Sequence, residues 1–221
     1  MESSKQIDSG ATEGRLLSRP TRPTTTAVAG LYPLGLDAQR DGFVYVPKTY
    51  QADQPAPLVL ILHGAGGDAE GALRIFHNLA DRFGTILLAV DSHQQTWDIL
   101  RGGYGPDIVF IELALAQTFS HYAVDPNQIA IAGFSDGASY ALSVGITNGE
   151  LFSHIIAFSP GFMTPARQQG EPHVFISHGK LDTVLPIERC SRPIVRRLKR
   201  AGYEVQYHEF NGFHTVPSAI A

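Results

Sequence analysis

The segment IAIAGFSDGASYALSVG, residues 129–145, decides the reading of this chain. Residues 129–132 form a short apolar run of the kind that becomes a buried strand. Gly133-Phe134-Ser135-Asp136-Gly137 comes next, and residues 135–146 carry a helical pattern. This is G-x-S-x-G in the strand–turn–helix context that its chemistry requires. So sharp a turn strains the backbone at Ser135. Gly133 and Gly137 remove side chains that would otherwise clash there. The serine hydroxyl is then presented at the carboxyl edge of a sheet. The start of the following helix favours negative charge developing beside it. The same five letters also occur at ordinary Gly-rich helix starts; the flanking strand and the immediate helix favour a nucleophile.

Working outward, apolar strands alternate with helical patterns. Residues 58–62, 86–90, 155–158, 174–177 and 204–210 read as strands, and residues 106–119 and 187–201 as helices. Residues 68–83 read as one helix, with Ala69, Ala72, Leu73, Phe76 and Ala80 on one side. Pro106 stands at the favoured first-turn position of its helix. Pro193 is expected to delay or kink the basic helix around it. The alternation predicts a mostly parallel sheet covered on both faces. The β-type stretch 24–33 and residues 43–47 have no helix between them, so they predict an antiparallel N-terminal start. Residues 1–20 are polar without periodicity and are expected to be a mobile tail, with 21–221 a single domain.

A serine hydroxyl is a weak nucleophile at neutral pH and needs a base and a group to orient that base. In a sheet of this type the acid and the histidine come after the serine in chain order. Strand 174–177 leads into His178-Gly179-Lys180-Leu181-Asp182, and the last strand leads into Asn211-Gly212-Phe213-His214. Both loops fall on the edge that carries Ser135. The expected roles are Ser135 as nucleophile, His214 as base and Asp182 as its orienting carboxylate. The competing assignments are Asp182 as a helix cap and His214 as an ordinary loop residue. Strand 58–62 ends in His63-Gly64-Ala65-Gly66-Gly67. The backbone N–H groups of Ala65 and Asp136 are the expected oxyanion donors. The alternative is a turn that needs glycine for geometry alone. His63 is expected to be structural. No G-K-[ST] succeeds the glycines, which argues against a phosphate loop.

Composition narrows the remaining possibilities. The chain has 221 residues, 43% hydrophobic and 17% charged, with a net charge of −4. A chain of this length can bury roughly 70% of its unfolded surface, enough for a sizeable core. The mild acidity argues against a nucleic-acid partner. The single Cys190 excludes an internal disulfide and reads as a buried filler. The other histidines form no metal-like cluster, so neither a metal nor a cofactor is expected. The N-terminal residues lack the apolar core of a secretory signal, and no apolar run approaches the ~18 residues of a membrane span. A cytoplasmic protein is expected on that basis, with a small-molecule ester as partner and the oligomeric state open.

The stretches HGAGG, GFSDG, HGKLDTVLP and GFHTVP resemble the α/β-hydrolase superfamily. Within it the chain is similar to the small phospholipase/carboxylesterase family, from about Phe43 onward. The resemblance implies hydrolysis of carboxylic esters through an acyl-enzyme without a cofactor. Many members carry Gln after the nucleophile; Asp136 stands there instead, as in some polyhydroxybutyrate-depolymerase-like and feruloyl-esterase-like members. The family fold also continues into a full helix after the histidine, and here a shortened or missing one is expected.

Residues 161–171 are too few for a cap domain, so an open cleft is expected. Phe162 and Met163, just past a strand's carboxyl end, are candidates for lining it. Trp97, in the Gly-rich loop 94–107, either lines the pocket or packs beneath its own loop. Three other activities remain open on the sequence: a thioesterase, a peptidase with the same triad, and a non-catalytic ligand-binding relative.

Overall fold

The structure, a computed structural model, describes residues 10–23 and 28–220. Eight strands form one sheet: β1 (Gly30–Pro33), β2 (Gly42–Val46), β3 (Ala56–Leu62), β4 (Ile86–Val90), β5 (Val124–Phe134), β6 (His154–Phe158), β7 (His173–Gly179) and β8 (Val205–Phe210). Their order is β1-β2-β4-β3-β5-β6-β7-β8. β1 and β2 run antiparallel, as do β2 and β4. The remaining pairs are parallel. The expected α/β architecture with an antiparallel start is therefore present. Residues 24–27, part of the expected first β stretch, lie outside the described residues.

Alternation along the strands sorts the core into two layers. Leu58, Leu60 and Leu62 of β3 join Ile129 and Ile131 of β5 on one face. That face is covered by α3 (Pro106–His121), α4 (Asp136–Thr147) and α5 (Ser191–Arg200). Ile61 and Ala132 point to the other face, under α1 (Ala69–Leu73) and α2 (His77–Phe83). The stripe expected on α3, Ile108, Ile111, Leu115 and Phe119, is buried. So are Ile187, Cys190, Ile194, Val195 and Leu198, with the basic side chains on the opposite side of α5. Pro193 lies in the first turn of that helix, which starts four residues later than the pattern suggested.

Two expectations change. Residues 68–83 form two helices rather than one. The amides of Ile75 and Phe76 reach only three residues back, to the carbonyls of Ala72 and Leu73, and the tighter pitch ends α1. Gly71 and β-branched Ile75 weaken the helix there. The apolar stripe stays buried, because it specifies a face rather than a pitch. The second change concerns residues 10–20, which do not hang free as a tail. Leu16 is fully buried, and its N–H donates to Asn148 Oδ1 at 2.8 Å. Leu17 N–H donates to Glu112 Oε2 at 2.9 Å, and Arg15 pairs with Glu150 at 2.8 Å. These partners lie about a hundred residues away in sequence, beyond any local periodicity. Residues 1–9 are outside the described part.

After β8 the chain forms turns, with Val216 and Ile220 against the second core layer. Among the described residues no helix is long and apolar enough to cross a membrane.

Candidate active site

β5 ends in the sharp turn read from the sequence. Ser135 has φ 57° and ψ −119°, a conformation L-residues rarely adopt. The turn is tight on both sides. A Cβ at Gly133 would run into the Gly137 carbonyl, and one at Gly137 into the carbonyls of Leu62 and His63. The second contact brings the start of α4 directly against the end of β3. Ser135 N–H donates to Phe158 O at 2.9 Å, which ties the strained residue to β6.

Three loops converge on Ser135. His214 Nε2 lies 2.9 Å from Ser135 Oγ, and His214 Nδ1 lies 2.6 Å from Asp182 Oδ2. With the Nδ1 proton held by the carboxylate, Nε2 accepts from the serine hydroxyl. Asp182 Oδ1 accepts from the Val184 and Leu185 amides at 2.9 and 2.8 Å. Burial works against its charge, but the Leu185 amide, the His214 ring and the Val184 amide outweigh it and hold its pKa below the ordinary carboxylate value. The two supporting loops are stitched together: Lys180 N–H donates to Phe210 O, and Leu181 N–H to Gly212 O, both at 2.9 Å.

A second histidine touches the acid. His178 is fully buried, with Nε2 2.8 Å from Leu185 O and 3.2 Å from Asp182 Oδ2. Burial depresses its pKa despite those acceptors, so it is a neutral donor that braces the Asp182 loop. Sequence reading passed over it among the non-metal histidines; its spacing of four residues before Asp182 was the available signal.

The glycine loop after β3 lies against Ser135, since a Cβ at Gly64 would stand 3.3 Å from Ser135 Cβ. His63 organises this loop. Ser92 N–H donates to its Nε2 at 3.0 Å, so Nδ1 carries the proton and donates to Gly64 O at 2.7 Å. Burial lowers the pKa of His63 and keeps it neutral. In a trans peptide the carbonyl and the next N–H point in opposite directions. Holding Gly64 O toward His63 thus turns Ala65 N–H away from it, and that N–H has no acceptor among the described residues. Asp136 is the first residue of α4, so its N–H also lacks an intrahelical acceptor. Asp136 Oδ2 accepts from Thr96 Oγ1 at 2.8 Å, anchoring the 94–107 loop to the turn.

The three candidate lining residues separate. Trp97 is fully buried: its Nε1–H donates to His63 O at 2.9 Å, and its ring stacks on Tyr140 at 5.0 Å. It supports the end of β3 from beneath and is not a pocket wall. Met163 is also buried, within the α3/α4/α5 core layer. Phe162 is half-buried. Phe134 and Ile75 are half-buried instead beside the glycine loop, where they border a cavity. Phe134 stood inside the quoted segment as the residue before the serine; nothing local marked Ile75.

Residues 109–219 match the phospholipase/carboxylesterase family. The chain is 24% identical over 157 residues to a probable feruloyl esterase C of Aspergillus niger, covering 67% of this chain and 57% of that protein. It is 31% identical over 138 residues to a poly(3-hydroxybutyrate) depolymerase of Ralstonia pickettii, covering 52% of this chain and 28% of that one. The chain thus spans little more than half the length of the first relative and under a third of the second. Among solved structures it resembles a CE1 ferulic acid esterase from Anaeromyces mucronatus in complex with ferulic acid. That match has TM-score 0.67 and 18% identity and covers 96% of this chain and 91% of that one.

Proposed function

Since this chain belongs to the phospholipase/carboxylesterase family, we propose that it hydrolyses carboxylic esters, with Ser135 as nucleophile, His214 as general base and acid, and Asp182 as the orienting carboxylate. The observation that carries this reading is the unbroken hydrogen-bond chain Ser135–His214–Asp182, at 2.9 and 2.6 Å, on a strained turn.

Ser135 Oγ attacks the ester carbonyl while its proton passes to His214 Nε2. Asp182 holds the Nδ1–H tautomer and stabilises the imidazolium. The N–H groups of Ala65 and Asp136 receive the oxyanion; each such donor is worth about 10²–10³ in rate. The C–O bond to the alcohol breaks as His214 returns the proton to the departing oxygen. Water then attacks the acyl-Ser135 ester, with His214 again taking the proton, and the acid product leaves.

A fluorophosphonate probe should label the wild-type protein once per chain and fail on Ser135→Ala, and p-nitrophenyl acetate turnover should vanish with the label. A folded wild type that is neither labelled nor active on esters would overturn the proposal. Acyl-thioesters and anilides run beside the esters separate the thioesterase and peptidase readings.

A further inference from the structure

A cavity of about 370 Å³, within the size range of small-ligand sites, is lined by Gly64, which packs against Ser135, and by Phe134, the residue before that serine. One wall is the glycine loop at Gly64 and Gly67, the loop that lies against the nucleophile. Gly71 and Ala72 of α1 also line it, with Ile75 in the break between α1 and α2. Ile75 is half-buried there, and the half-buried Phe134 lines the cavity as well.

The chemistry of this lining is one-sided. His63 at its edge is neutral. Asp68 is its one ionic side chain, and Oδ1 of that carboxylate accepts from Gly71 N–H as the cap of α1. No Lys or Arg lines the cavity among the described residues. The space therefore suits an uncharged apolar group and disfavours an anion.

Its place beside the triad indicates which half of an ester would enter. The Phe134 ring in its lining also lies against the His214 ring, with centroids 4.7 Å apart. His214 must hand its proton to the departing oxygen, so the alcohol half lies on the histidine's side of the reacting carbon. We propose that this cavity holds the alcohol portion of the substrate, uncharged and apolar, and that Ile75 sets the size it accepts. The assignment rests on the esterase reading of Ser135.

The test uses two series on the full chain. Acetates of methanol, butanol and benzyl alcohol vary the alcohol, and p-nitrophenyl esters of increasing acyl length vary the acid. Ile75→Phe should lower the benzyl-to-methyl ratio of kcat/KM by about tenfold, and Ile75→Ala should raise it by a similar factor. Ile75→Val, the mildest change, should shift it in the direction of Ile75→Ala. Acyl selectivity should stay within about twofold. All acetates form the same acyl-enzyme, so within each variant its breakdown rate should not depend on the alcohol that left. Fluorophosphonate labelling counts active sites and removes misfolded protein from the comparison. An unchanged alcohol ratio in correctly labelled variants, or a shift in acyl selectivity instead, would overturn the subsite. A wild type without label or ester turnover would instead remove the esterase reading itself.

Discussion

Replacing Asp182 by Asn changes one atom, and the surrounding donors dictate the outcome. Asp182 Oδ1 accepts from two backbone amides, at 2.9 and 2.8 Å, and Oδ2 faces two imidazoles, His214 at 2.6 Å and His178 at 3.2 Å. An Asn side chain has a single oxygen. Turned toward the imidazoles, it would leave the Val184 and Leu185 N–H groups facing an NH₂, and each orphaned buried donor costs about 1–3 kcal/mol. The oxygen therefore stays on the amides and the NH₂ faces His214. To accept from that NH₂, His214 must move its proton from Nδ1 to Nε2. Its Nε2–H then donates to Ser135 Oγ and can no longer take the serine proton. The wrong tautomer should lower kcat by about 10⁴, equivalent to ~5.5 kcal/mol. The loss should be read as kcat for p-nitrophenyl acetate, corrected for fluorophosphonate-reactive sites. KM should move little, because His214 stands between Asp182 and the reacting serine. A kcat within tenfold of wild type, or a change confined to KM, would refute the reasoning and send the search to another acid.

Two further perturbations test the support around the site. Trp97→Phe removes the donor to the buried His63 carbonyl. It should destabilise the fold by about 1–3 kcal/mol, a drop in Tm of roughly 2–12 °C for a chain of this size, with ester preferences unchanged. Altered preferences at unchanged Tm would return Trp97 to the substrate pocket. Alkaline titration examines the half-buried phenols of Tyr104 and Tyr207 and the fully buried one of Tyr140. Burial, the leading cause in each, raises Tyr104 and Tyr207 to about 12 and Tyr140 well above the ordinary value. Their folded pKa values exceed the unfolded one of about 10. The stability they contribute is therefore complete below pH ~10 and is lost as pH rises toward 12. Absorbance at 295 nm should show these phenols ionising well above pH 10 while the fold persists; their ionisation near pH 10 with native circular dichroism intact would contradict this.

The elements that carry Ser135, Asp182 and His214 were legible because each signal is local. An apolar run, a Gly-x-Ser-x-Gly turn and a helical stripe lie within seventeen contiguous residues, and the acid and histidine each come after a strand. The illegible parts depend on partners far apart in sequence. Leu16 looked like tail because its hydrogen-bond partner, Asn148, is 132 residues away. Trp97 stayed open between pocket wall and loop support because the stacking Tyr140 belongs to a distant helix. Ile75 looked like one more position on a continuous helix, because periodicity assigns faces and is blind to a local change from i−4 to i−3 bonding. The substrate-facing surface is thus harder to read than the reacting groups. It is made by side chains whose exposure is decided by packing, whereas the groups proposed to react are announced by residue type and by the turns that present them.

The meeting of Ser135, His214 and Asp182 is a property of the sheet extended past its strand ends. β8 lies three inter-strand spacings from β5, about 14 Å at ~4.8 Å each. From Phe210, where β8 ends, to His214 the chain has four steps, which cover about 13 Å when extended. So short a connection has little slack, and the strand ends must be drawn together for Nε2 to meet Ser135. Three bonds do this in sequence: Ser135 N–H to Phe158 O, Ser159 N–H to Ser177 O, and Leu181 N–H to Gly212 O. They carry the ladder from β5 through β6 and β7 to the histidine loop. Gly179 permits the last step, since a Cβ there would strike the carbonyls of Gly212 and Phe213. The strained Ser135 is therefore held from the far edge of the sheet as well as by its own turn. The glycines at 133, 137 and 179 share one physical role, removing a side chain where two backbones must nearly touch for the three loops to meet.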